Sequence, residues 1–232
     1  MSKISGILFD FDGTLAELHI DFAKMRQHVA ELAGLFLDSP PNPSQSPVLE
    51  WIDELAAQME EVLSREEILE FRSRCHMRLV GLEMKAAERG KLFPFTRGIL
   101  LGLKKRGVRT AVVTRNCTAA VRKVYPQISQ EVDCLLARDD VLRVKPDPEH
   151  LLLAVQTLDL KPEQCCMVGD HLLDILAAQK AGMRSAAVHT GRISAAEFTV
   201  YQPDYSVPEV QTLIQELSRN KLLDAVPLME EC

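Results

Sequence analysis

The chain has 232 residues, with 27 Lys+Arg against 33 Asp+Glu and a formal net charge of −6. Its 47% hydrophobic and 26% charged residues are ordinary for a globular protein, which excludes wholesale disorder and a collagen-like rod. The mild acidity argues against an electrostatic grip on nucleic acid or anionic lipid, and no run approaches the ~20 apolar residues that cross a bilayer.

The chain opens with an apolar stretch, residues 4–9, that reads as a buried strand and stops at Asp10. Asp10-Phe11-Asp12-Gly13-Thr14 follows directly. Two carboxylates two residues apart at a strand end can face the same way, and Gly13 lets backbone N–H groups approach an anion closely. A turn with a chance acidic pair is the structural alternative.

Roughly 80 residues without a convincing strand come next. Three amphipathic helices fit there. Phe22, Met25, Val29, Leu32 and Phe36 form the first stripe, with Asp21 as N-cap; Val48, Ile52, Leu55, Met59 and Val62 form the second. Ile68, Phe71, Cys75, Leu79 and Leu82 form the third, with Ser64 and Glu67 at capping-box spacing. Residues 38–44 are a Pro/Ser/Asn loop. Residues 16–92 are therefore expected to be an all-helical insert, with 1–15 and 93–232 as the core. The insert begins just after Asp12, which favours a lid over extra helices at a sheet edge.

Beyond the insert, strands and helices alternate. Residues 98–105 read as a helix and 110–113 as a strand, followed by Thr114-Arg115-Asn116. A hydroxyl and amides at such a turn suit phosphate oxygens, and would equally cap the next helix, residues 118–124. A short strand at 134–136 precedes Arg138, Asp139, Asp140 and Arg143, which read as surface charges. Lys145-Pro146-Asp147-Pro148 holds a lysine ahead of two prolines, either a fixed charge for a phosphoryl group or a solvated side chain. Residues 148–158 read as a helix with Asp147 as N-cap and Pro148 at the first position. A strand at 165–168 leads into Gly169-Asp170-His171-Leu172-Leu173-Asp174. Asp170 and Asp174 lie one helical turn apart and could share a hard divalent cation, or else cap and compensate a helix. His171 reads as a bystander. A helix at 174–181, closed by Gly182, and a strand at 185–188 follow, and residues 220–232 carry no interpretable motif.

This alternation predicts a doubly wound α/β core, a mainly parallel Rossmann-like sheet covered on both faces. The four polar clusters then fall on one sheet edge. About four carboxylates and one lysine there repel one another unless a cation joins them, and a magnesium ion with a phosphoryl dianion satisfies the set. The six cysteines, Cys75, Cys117, Cys134, Cys165, Cys166 and Cys232, form no CxxC pair, and the N-terminus lacks secretory features. A reducing, cytoplasmic setting is expected, with no zinc site.

In this order the clusters resemble the haloacid dehalogenase-like hydrolase superfamily, in particular its phosphatase branch with a helical cap, as in phosphoglycolate phosphatase-like proteins. The resemblance spans residues 4–217. It implies a magnesium-dependent phosphatase acting on a small phosphorylated metabolite. Asp10 would be the nucleophile that forms an aspartyl-phosphate. Asp12 would be the general acid and then the base. Thr114 and Lys145 would hold phosphoryl oxygens, with Gly13, Arg115 and Asn116 beside them. Asp170 would bind Mg2+ with Asp10 and the backbone carbonyl of Asp12, supported by Asp174. The chain departs from the pattern at Leu15-Ala16-Glu17-Leu18, where many relatives continue to an Asp-Ser pair, and this weakens a mutase reading. Arg115 stands where a smaller residue is common, as either a substrate contact or a surface arginine. Cys117 nearby is either an oxidisable thiol or a packed side chain. A metal-independent dehalogenase and an idle binding protein are the remaining rivals. No nucleic-acid or membrane partner is expected, the protein being a monomer or homodimer. Specificity would come from cap residues such as His19, Arg26, Arg74 or Arg78.

Overall fold

The computed structural model describes residues 3–223; the first two residues and the segment from 224 onward, including Cys232 and most of the uninterpreted tail, lie outside the described residues. In chain order the elements are β1 (Gly6–Phe9), β2 (Ala16–Glu17), α1 (Phe22–Ala33), α2 (Val48–Met59), α3 (Arg65–Ala87), β3 (Lys91–Leu92), α4 (Thr96–Lys105) and β4 (Arg109–Val113). They continue with α5 (Thr118–Val124), α6 (Ile128–Glu131), β5 (Cys134–Leu136), α7 (Glu149–Thr157), β6 (Cys165–Gly169), α8 (Leu172–Lys180), β7 (Arg184–Val188), α9 (Ala195–Thr199), β8 (Tyr205–Val207) and α10 (Val210–Arg219).

Six strands form one sheet in the order β5-β4-β1-β6-β7-β8, and every pairing is parallel. Strands covered on both faces need unbroken apolar sequence, and Ile7, Leu8 and Phe9 of β1 have no solvent exposure. Leu8, Ala111, Val113 and Met167 from the sheet pack with Leu151, Ala154 and Val155 of α7 and Ala177 and Ala178 of α8. The chain winds outward from β1 to β4 and β5, then returns across β1 to β6. Loops leaving β1 and β6 therefore diverge, and the crevice beyond their carboxyl ends is where ligands bind in such sheets. β8, unannounced in the sequence, extends the sheet at the β7 edge.

The chain divides into two units, Met1–Leu18 with Gly90–Cys232, and His19–Arg89. The short ribbon of β2 and β3 pairs antiparallel, carries a Glu17–Lys91 ion pair of 3.0 Å, and stays with the sheet. The second unit is three helices. Its caps follow from local chemistry: Asp21 Oδ1 accepts from Lys24 N at 2.9 Å, Ser64 N donates to Glu67 Oε2 at 2.9 Å, and Glu67 N donates to Ser64 Oγ at 3.3 Å. Its buried stripes include Met25 and Val29, Ile52 and Leu55, and Phe71, Cys75 and Leu79.

Two helix starts differ from the sequence expectation. Pro148 occupies the cap position of α7, because Asp147 Oδ1 closes a tight turn on Glu149 N at 2.9 Å. α8 begins at Leu172, two residues before the expected start at 174, with His171 as its N-cap. Among the described residues no helix is long and apolar enough to cross a membrane.

Candidate active site

Asp10 N donates to Val168 O at 2.9 Å. This carries the β1–β6 pairing one residue past the strand and fixes Asp10 at the mouth of the crevice. Lys145 arrives from the loop after β5. Its side chain is 1% exposed and its Nζ lies 2.7 Å from Asp10 Oδ1 and 2.7 Å from Asp174 Oδ1. A buried ammonium is costly unless paired. Burial alone would lower its pKa, but Asp10 and Asp174 outweigh that and hold it above its ordinary value. The other oxygen of Asp174 accepts from His171 N at 3.1 Å, so both its oxygens are engaged.

Oxygens of Asp10, Asp170 and Asp174 all lie within 4.8 Å of one another. Burial pushes the Asp10 carboxyl up to about 6, with Lys145 pulling down and Asp174 pushing up. Asp170 is raised well above the usual range by burial, then by Asp10, Asp174 and Asp12. Burial also lifts Asp12 to about 7, against a 2.9 Å hydrogen bond from Leu18 N to its Oδ1. The Asp12 carboxylate lies outside the close trio. An all-oxygen, carboxylate-rich cluster with a single ammonium among it fits a hard divalent cation such as Mg2+.

Three glycines make room for these acids. Gly13 has φ +78°, a conformation side chains resist, and a Cβ there would stand 2.2 Å from Asp170 Oδ2. A Cβ on Gly169 would stand 2.1 Å from Asp174 Oδ2, and one on Gly191 only 1.8 Å from Asp170 Oδ2. Gly191 belongs to the loop after β7, which sequence reasoning missed; one loop glycine is too weak a signal. Its neighbours also reach the site. Thr190 Oγ1 donates to the Gly13 carbonyl, and the charge of Arg192 draws Asp12 downward. Gly191→Ala is expected to displace Asp170 and weaken Mn2+ binding about 10–100-fold, read by electron paramagnetic resonance. Gly98→Ala, whose new Cβ meets nothing within 4 Å, should bind as the wild type does; equal Mn2+ affinity in Gly191→Ala would sink the assignment.

The second cluster sits at the end of β4. Thr114 is 2% exposed; its N donates to Leu136 O at 3.0 Å and its Oγ1 accepts from Asn116 N at 3.2 Å. Asn116 Oδ1 accepts from Cys117 N at 2.9 Å, while its buried Nδ2 finds no protein partner. Arg115 is half-buried, and its guanidinium donates to the Lys145 carbonyl, tying two loops together. Arg138 is buried, 9% exposed, and its Nη1 donates to Arg115 O at 2.9 Å. Asp139 and Asp140 accept from Thr118 N and Ala137 N, each at 2.8 Å. Of the four charges expected at the surface, Asp139, Asp140 and Arg143 are exposed, and Arg138 alone is buried. Cys117 is buried at the N-cap position of α5. The structure thus brings Asp10, Lys145, Asp170 and Asp174 together, with Thr114 and Asn116 at the next strand end.

The family profile described as haloacid dehalogenase-like hydrolase matches residues 7–188. A pyrophosphatase, PpaX of Bacillus cereus, is 36% identical over 118 residues, 50% of this chain and 55% of that protein. The chain thus spans about half the length of the curated relatives it matches. A Bacteroides fragilis protein described as haloacid dehalogenase-like hydrolase has TM-score 0.64 at 24% identity, covering 91% of this chain and 100% of its own. A Haemophilus somnus protein described as a predicted phosphoglycolate phosphatase has TM-score 0.62 at 21% identity, covering 93% and 99%. At these identities the two structures share the fold.

Proposed function

The chain belongs to the haloacid dehalogenase-like hydrolases, and from that premise we propose that it is a magnesium-dependent phosphoric monoester hydrolase working through an aspartyl-phosphate on Asp10. The observation that carries the reading is the Lys145 ammonium 2.7 Å from Asp10 inside a three-carboxylate cluster. Asp10 Oδ attacks phosphorus and the ester P–O bond breaks. Asp12, lifted to about 7, can hold a proton at neutral pH and gives it to the departing oxygen. It then takes a proton from the water that attacks the acyl phosphate, returning Asp10 and releasing orthophosphate. Lys145 offsets the repulsion between a carboxylate and an anionic phosphoryl group. Thr114 Oγ1 and the unpartnered Asn116 Nδ2 offer donors to its oxygens. Magnesium, when bound by Asp10 and Asp170 with the Asp12 carbonyl, supplies Lewis-acid neutralisation of the phosphoryl charge. Asp174 orients Lys145 and supports that centre.

The substrate in this reading is a small phosphorylated metabolite in the cytoplasm. The run Ala16-Glu17-Leu18 disfavours a mutase, and the several acids disfavour a metal-independent dehalogenase. Purified protein should release nitrophenol from para-nitrophenyl phosphate with Mg2+ and lose at least ~10²-fold in rate in EDTA. Undiminished rates in the chelator would overturn the metal assignment. A phosphate-release screen that includes inorganic pyrophosphate then names the substrate.

A further inference from the structure

We propose that His150 is a positioning residue for Lys145, a neutral imidazole that ties the lysine's loop and the Thr114 turn to one carbonyl. The proposal rests on the reading of Lys145 and Thr114 as phosphoryl-holding groups.

His150 lies in the first turn of α7 with no solvent exposure. Its Nε2 is 3.2 Å from Leu136 O at the end of β5, and Lys145 N donates to its Nδ1 at 3.4 Å. A carbonyl can only accept, so Nε2 carries the proton. A backbone N–H can only donate, so Nδ1 keeps its lone pair. The two contacts select one tautomer and exclude the imidazolium. Burial, then the Lys145 and Arg115 charges, hold the ring at about 3 despite the Leu136 hydrogen bond, which agrees with that state. Leu136 O also accepts from Thr114 N at 3.0 Å. One atom therefore sets the Thr114 turn directly and the Lys145 main chain through the imidazole. An inert core side chain would fill the same space but leave the Lys145 N–H buried without an acceptor. The height of Lys145 Nζ over Asp10 depends on where that main chain stands.

The test uses the full chain carrying His150→Phe, which keeps a ring and loses both nitrogens, and His150→Gln, which restores one donor and one acceptor. His150→Phe is expected to lower kcat on para-nitrophenyl phosphate on the order of 10²-fold, to weaken inhibition by orthovanadate in parallel, and to leave KM nearly unchanged. His150→Gln should recover most of both losses at a similar melting temperature. A His150→Phe protein that melts lower yet keeps kcat and vanadate inhibition overturns the proposal. Long-range 1H–15N correlation spectra of the wild type should show His150 neutral and protonated at Nε2 from pH 6 to 8. An imidazolium or the Nδ1–H form would overturn it even if both variants fail to fold. Should the wild type cleave no phosphomonoester, the functional reading falls, and those spectra still decide whether His150 makes the bridge.

Discussion

Asp10→Asn will cut phosphate release on the order of 10⁴-fold or more, as removal of a nucleophile does, and will also make the metal-free protein harder to melt at neutral pH. The two effects share a cause. The Asp10 carboxyl sits at about 6 in the fold against an ordinary 3.8, and Asp12 at about 7. Between pH ~4 and ~7 the folded state therefore binds more protons than the unfolded chain, and stability falls as pH rises through that window. The cluster is under electrostatic load that Lys145 only partly offsets. Asparagine removes one of the opposing charges while keeping the shape. In EDTA, the wild type should melt lower at pH 8 than at pH 5, and Asp10→Asn should narrow the gap. Magnesium should raise the wild-type melting temperature more than the variant's, because it binds only the folded cluster. A variant that turns over would remove Asp10 as the nucleophile, and one that melts below the wild type at pH 8 in EDTA would remove it as a source of electrostatic load.

Legibility in the sequence followed the range of the physics. Strands β1, β4, β6 and β7 were readable because burial on both faces forces unbroken apolar runs, and the edge strand β5, only half-buried at Leu135 and Leu136, because its three residues are all apolar. β8 was not, because three residues at a sheet edge, with Ser206 exposed between Tyr205 and Val207, carry too short a pattern. The Asp21 and Ser64 caps were readable because they involve residues three apart. Asp147 was misplaced by one position because an Asx turn and a helix cap use the same side chain and similar spacing. At the site, Asp10, Asp12, Lys145 and Asp170 announce themselves as polar residues ending strands or fixed by prolines. Arg138, Gly191 and His150 do not. Arg138 reads as one more charge among Asp139, Asp140 and Arg143, and only the folded loop shows it donating to Arg115 O. Gly191 matters only because the loop after β7 folds against Asp170. That Asp174 would pair with Lys145 is equally a matter of tertiary register.

Lys145→Met should move stability in the opposite direction from Asp10→Asn. Methionine nearly matches the buried aliphatic stem, so packing is kept and the charge is lost. Asp10 and Asp174 then lose an ammonium 2.7 Å away, with Asp170 close by. Removing one partner of a buried ion pair costs about 3–5 kcal/mol, a melting-temperature drop of roughly 6–20 °C at this chain length. The deficit should be largest above pH 6 and shrink toward pH 5, because protonation of Asp10, already raised to about 6 in the fold, replaces the missing cation; without Lys145 the Asp10 pKa rises further. Turnover should fall by ~10²–10³-fold, as when a charge-stabilising donor is removed. Adding Asp10→Asn to Lys145→Met should recover part of the lost stability and none of the activity. That asymmetry separates a site poised for an anion and a cation from an ordinary structural ion pair. In the ordinary pair, deleting either partner destabilises the fold. Here deletion of the acid should relieve it and deletion of the base should strain it. A Lys145→Met protein that melts within about 2 °C of the wild type at pH 7.5, with no gain at pH 5, would mean that the acids are not charged in the folded chain and that the cluster is not held in tension by Lys145.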